Sequence, residues 1–196
     1  GLQSPCGVLL SAPLVEASTA AAYVLVGWWW LSGLRTAPLA DAIADLLVLA
    51  ALLTFLAASI VLAVIDVRVH RLPDAIVLPT AVAVAVLLTA AAWLAGDWVD
   101  LGTAGIGAAA LAAFYLLLAI VVPGGMGLGD VKLALPIGML LGWFGIPSLI
   151  VGALGAFLLG GTYGLILVLL RRRGRRGRVA FGPWMLLAAW VGIIAG

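Results

Sequence analysis

Long apolar runs alternate with short polar interruptions along this chain. A helix that spans a bilayer needs about 20 predominantly apolar residues. Seven segments meet or approach that pattern, at 18–34, 43–65, 75–95, 101–122, 131–144, 147–170 and 179–195. A backbone crossing lipid must satisfy its own hydrogen bonds, so these segments are read as helices. The fifth is short and follows a glycine-rich stretch, which fits a helix that begins inside the membrane. The expected fold is all-α: a polytopic membrane helix bundle with about six or seven transmembrane helices. A single integral-membrane domain is expected over 1–196, with a core at about 43–190 and an N-terminal segment, 1–42, that adds one helix.

Composition agrees. The chain is 66% hydrophobic and 9% charged, against about 25% charged in soluble domains. One cysteine, Cys6, cannot build a disulfide framework, and one histidine, His70, cannot build a multi-histidine metal cluster. No metal or cofactor is expected. Gly1 in place of Met fits a processed or truncated chain, and no basic residue before Tyr23 supplies the start of a signal peptide.

The distribution of charge sets an orientation. If all seven segments cross, Arg68, Arg71, Lys132, Arg171, Arg172, Arg173, Arg175, Arg176 and Arg178 fall on one side. Of the basic residues only Arg35 falls on the other, which holds Asp41, Asp45, Asp97 and Asp100. The basic side is therefore expected to be cytoplasmic. Without the fifth crossing, the arginine run would lie opposite Arg68 and Arg71. That run reads as a topology determinant and a binder of anionic lipid, not of nucleic acid. The eight tryptophans mostly lie near segment boundaries, as interfacial anchors do. Gly102, Gly105 and Gly107, with Gly152, Gly155, Gly160, Gly161 and Gly164, read as helix-packing surfaces.

Two acids stand out. Asp66 ends the second apolar run and Asp130 begins the fifth, both on the basic side. An ionisable group at such a boundary is a functional-site hypothesis by default. Each has a simpler reading. Asp130 can cap its helix start, where an acid suits the positive helix end, and Lys132 can pair with it. Asp66 can be a boundary acid offset by Arg68, His70 and Arg71, although a helix C-terminus disfavours an anion. The glycines before Asp130 suit a tight turn or a close helix approach. Asp74, after Pro73 and before an apolar run, reads as the N-cap of the third helix. If the two acids meet, they suit hydrolysis. One carboxylate takes a proton from water while a protonated partner donates to the carbonyl oxygen. Close carboxyls cannot both ionise easily, so one shared proton supplies both forms.

These segments resemble the type IV prepilin peptidase family, intramembrane aspartic proteases with a Gly-x-Gly-Asp motif. Ile65-Asp66 and Leu72-Pro73-Asp74 match one family segment, and Gly127-Leu128-Gly129-Asp130-Val131-Lys132 a second. Phe181-Gly182-Pro183 matches a motif that opens a late helix, although Ala180 stands where the family often has Pro. The resemblance implies that Asp66 and Asp130 are the catalytic pair. It also implies that prepilins or pseudopilins are the substrates, cut behind a basic leader at the cytoplasmic face of a bacterial inner membrane. Many bacterial members carry an N-terminal region with paired cysteines that methylates the new N-terminus. Residues 1–17 are too short for it and Cys6 is alone. The expectation is thus a peptidase without methyltransferase activity, or one working beside a separate enzyme. Membrane acids also serve proton- or cation-coupled transporters, and an inactive structural subunit of a pilus or secretion system is a third reading.

Overall fold

In a computed structural model, residues 12–33, 38–69, 72–121, 127–169 and 181–195 are described. The arginine run 171–178, Arg35, Cys6, His70, Arg71 and Gly125 lie outside them, as does the side of Gly164. The described residues form seven helices and no strand: α1 Ala12–Gly33, α2 Leu39–Val69, α3 Asp74–Ala95, α4 Trp98–Val121, α5 Leu128–Trp143, α6 Ile146–Leu169 and α7 Gly182–Ala195. Four of them, α2, α3, α4 and α6, are long and apolar enough to cross a membrane. The chain is a multi-pass membrane protein.

Several boundaries differ from expectation, each for a local reason. The second helix has 31 residues and extends past both expected ends. At 1.5 Å per residue it is about 46 Å long, against roughly 30 Å of hydrocarbon. Asp41 lies in its first turn, where an acid complements the helix dipole. Asp66 lies in its last turn and does not end it. The fifth helix starts at Leu128, so Asp130 belongs to its first turn. Two tight connections need glycine: Gly96 between α3 and α4 has φ 81°, and Gly145 between α5 and α6 has φ 103°. Both values are in the left-handed region that other residues rarely adopt.

The helices pack as adjacent antiparallel pairs, α2 with α3, α4 with α5 and α6 with α7, while α3 and α7 join the pairs through α5 and α2. Leu52, Phe55, Leu62, Leu88, Leu133, Leu140, Leu141 and Ile193 fill the shared core. Between α4 and α5 the backbones nearly touch. A Cβ on Gly138 would run into the carbonyl of Gly107, and one on Gly142 into the carbonyl of Thr103. Lipid supplies no hydrophobic drive for helices to associate, so this close van der Waals approach holds them together.

The glycine expectation is only partly met. Gly107, Gly152, Gly155 and Gly160 face packed neighbours, as do Gly138, Gly142 and Gly192, which it did not include. A Cβ on Gly102, Gly105 or Gly161 would meet nothing within 4 Å. Composition alone does not reveal which helix face has a neighbour.

Candidate active site

Three helix ends and one loop end converge at the end of the bundle where α2 finishes and α5 begins. Asp66 and Asp130 are both buried there, at 5% and 9% exposure. Asp66 comes from the last turn of α2. Its Oδ2 accepts the N–H of Gly182, 3.0 Å away, at the start of α7. The first N–H groups of a helix have no partner within it and carry its positive end. α7 therefore supplies what the C-terminal end of α2 cannot, a favourable field for an anion.

The Phe181-Gly182-Pro183 motif follows from this contact. A Cβ on residue 182 would come within 2.7 Å of Asp66 Oδ2. Proline is tolerated in the first turn, where its missing N–H has no helical partner to lose.

Asp130 is held in the same manner from another helix. The Gly127 N–H donates to its Oδ2 at 3.1 Å, and the Asp130 N–H donates to the Gly127 carbonyl at 3.1 Å. Asp130 thus does cap its helix, as the simpler reading held, and it is also buried, at the same end of the bundle as Asp66. The charges of Asp66 and Asp130 are within electrostatic reach of each other.

Gly127 has an ordinary extended conformation, φ −84° and ψ 148°, so no unusual backbone explains it. Gly129 has a steric reason instead: a Cβ there would lie 2.9 Å from Leu72 Cβ. That glycine lets the start of α5 approach the Leu72-Pro73 segment.

Two expectations for neighbouring residues are corrected. Pro73, not Asp74, is the N-cap of α3, and no side chain caps this helix start. Lys132 does not pair with Asp130. Its Nζ meets Asp74 Oδ2 at 2.5 Å. The reason is direction: Asp130 turns back to its own helix start, whereas Lys132 reaches across to α3. The pair is largely exposed and ties the entrances of α3 and α5 together.

An aromatic cluster missed in the sequence packs against the start of α7. Tyr115 of α4 is buried, stacked on Phe157 of α6 with centroids 5.6 Å apart and planes at 15°. Phe181 packs against both, at 6.1 Å from Tyr115 and 5.8 Å from Phe157. A hydroxyl near the inner end of the 101–122 apolar run was the available signal.

The opposite end carries a second acidic group. Asp41, Asp45, Asp97 and Asp100, with Trp30 and Trp143, line a cavity of about 230 Å³. Among the described residues, no three His, Cys, Asp or Glu are placed to hold a metal ion.

A multi-pass helical membrane protein with two buried acids at one end of its bundle is the class these features define. Residues 52–169 match the Type IV leader peptidase family, and the chain belongs to that family. It is 32% identical over 200 residues to a prepilin leader peptidase/N-methyltransferase of Aeromonas salmonicida, covering 97% of this chain and 61% of that protein. It is 34% identical over 192 residues to the Pectobacterium carotovorum subsp. carotovorum protein of the same description, covering 95% and 61%. The Dickeya chrysanthemi counterpart is 32% identical, covering 96% and 62%. The chain thus spans about three fifths of the length of these curated relatives. No solved structure matches it.

Proposed function

We propose that this chain is an aspartic endopeptidase that removes the basic leader from prepilins or pseudopilins at the cytoplasmic face of a bacterial inner membrane. Asp66 and Asp130 form its catalytic pair. The observation that carries this reading is the burial of both carboxyl groups at one end of the bundle, each accepting a helix-start N–H. The family match, which includes both residues, supports it. The sidedness rests on the sequence, in which nine of the ten Lys and Arg fall on the side of Asp66 and Asp130 if all seven segments cross.

The chemistry follows from two acids sharing a proton. The ionised carboxylate removes a proton from water as the water oxygen attacks the peptide carbonyl. The protonated partner hydrogen-bonds to the carbonyl oxygen and makes its carbon more electrophilic. On collapse the C–N bond breaks and the leaving nitrogen takes the proton that the carboxylate drew from water. The Gly182 and Gly127 N–H groups hold the carboxyls in place, so attack needs little reorganisation. The cut product is a helix with a free amino end, lying in the same membrane as the protease.

The test is cleavage of a prepilin-like peptide, with a basic leader and a Gly-hydrophobic junction, by purified protein in lipid. Asp66→Asn and Asp130→Asn keep the shape and remove the acid. Each is expected to lower turnover by at least about 10²–10⁴-fold, with helical content by circular dichroism unchanged. Cleavage that survives either substitution would remove that residue from the mechanism.

A further inference from the structure

The α4–α5 contact fixes a register. Ala104 lies against Gly142, and Ala108 against Gly138. Four residues forward along α4 correspond to four residues back along α5, as antiparallel helices require. Carried two turns further, the same register sets Tyr115 beside the first turn of α5, at the level of Asp130. Its neighbours agree. Tyr115 packs on Phe181, whose chain neighbour Gly182 donates to Asp66. Its hydroxyl is within electrostatic reach of Asp130. Tyr115 is therefore level with the turn that carries Asp130 and packs on the residue next to the Asp66 donor, on a fourth helix.

Its ring is also fixed. It is 1% exposed, with Phe157 stacked on one side, Phe181 against it and Phe114 edge-on at 6.0 Å. Such packing suits a phenol whose hydroxyl must point one way. A tyrosine deep in an apolar helix carries a polar group that phenylalanine would spare it.

We propose that Tyr115 is a third catalytic residue of this centre, its hydroxyl donating a hydrogen bond to the carbonyl oxygen of the peptide being cut. That oxygen gains negative charge as water adds to the carbonyl carbon. A fixed donor aimed at it in a site poor in water stabilises the transition state more than the substrate. No proton leaves the phenol. Water supplies the oxygen that forms the new C–O bond, and the aspartates carry the protons. The inference rests on the peptidase reading above.

Tyr115→Phe separates ring from hydroxyl. It keeps the stack on Phe157 and removes only the donor. The expected result is a fall of about 100-fold in kcat, with KM within about twofold and an unshifted pH optimum. A packing role alone would leave kcat intact. Tyr23→Phe is the control, because it deletes a hydroxyl that donates to Leu53 O on a remote helix pair; its activity should match wild type. Wild-type kcat in Tyr115→Phe would overturn the proposal. So would a loss caused by unfolding, read as lost helical signal, if Tyr115→Trp with native helical content then cleaved at the wild-type rate. Failure of wild type to cleave any prepilin-like peptide would instead remove the peptidase reading itself.

Discussion

The two ends of α2 carry the same residue type in opposite settings. At one end Asp66 is buried and receives a backbone N–H from the start of α7. At the other, Asp41 and Asp45 are half-buried, Asp97 and Asp100 are exposed, and all four share an open cavity. Between Asp41 and Asp66 the helix rises about 38 Å. The outer acids repel one another, since Asp45 feels the charges of Asp41 and Asp97, and water screens them. The inner acids have little water, so the protein has to supply their partners. Acid count therefore says little about where chemistry lies. Backbone donors aimed at a buried carboxyl are more telling, because a fold keeps a buried charge only when something compensates it.

The sharpest way to break this contrast after removing the acids themselves is to disturb the donor. In Gly182→Ala the new methyl would sit 2.7 Å from Asp66 Oδ2 and 3.3 Å from its Cγ. Either the carboxyl rotates or the start of α7 retreats, and both weaken the 3.0 Å hydrogen bond. A misplacement of this order costs about 10²-fold in turnover. The expected result is that loss in kcat for cleavage of the prepilin-like peptide, with helical content retained. Full activity in Gly182→Ala would mean that the α7 N–H does not hold a working carboxyl.

A smaller effect is expected at the rim of the site. Lys132 and Asp74 are near Asp130 and Asp66 in sequence, yet their side chains are 38% and 55% exposed. Exposed ion pairs contribute about 0.2–1 kcal/mol. Lys132→Met should therefore reduce thermal stability slightly and cleavage by less than about fivefold, within the range of that energy. A loss as large as that of Asp130→Asn would transfer Lys132 from the rim to the chemistry.

The sequence made some of this architecture readable and hid the rest, and the division has a physical basis. Apolar length exposes helices directly, so all seven segments were recognisable as helices, although among the described residues four are long and apolar enough to cross a membrane. Asp66 and Asp130 were visible because a carboxyl is conspicuous in an apolar run. Tyr115 was not, because a tyrosine in such a run is unremarkable until the register of α4 on α5 sets it beside Asp130. The Lys132–Asp74 pair joins residues 58 apart, and only the packing of α3 on α5 reveals it. Adjacent charge made Asp130 one available partner for Lys132, but side-chain direction on a helix joined it to Asp74 instead. Gly102 and Gly105 misled for the same reason, since a glycine's purpose depends on the helix facing it.

The mildest test uses the two ends of one helix with one substitution. Asp45→Asn changes the same atoms as Asp66→Asn, at the opposite end of α2. Asp41 and Asp45 lie four residues apart on one helical face, a spacing at which like charges destabilise by about 0.2–0.5 kcal/mol. The contact from Trp30 Nε1 goes to the Asp45 backbone carbonyl at 3.0 Å and survives the change. Asp45→Asn should therefore raise the thermal midpoint slightly, by the relief of that repulsion, and leave kcat and KM for cleavage unchanged. The gain should shrink as salt is added, because exposed charges are screened over about 10 Å at 0.1 M. A loss of turnover at Asp45→Asn would show that the outer acids communicate with the site across the bundle. An unaltered rate beside an inactive Asp66→Asn would assign the difference to setting alone, since helix, residue and substitution are the same.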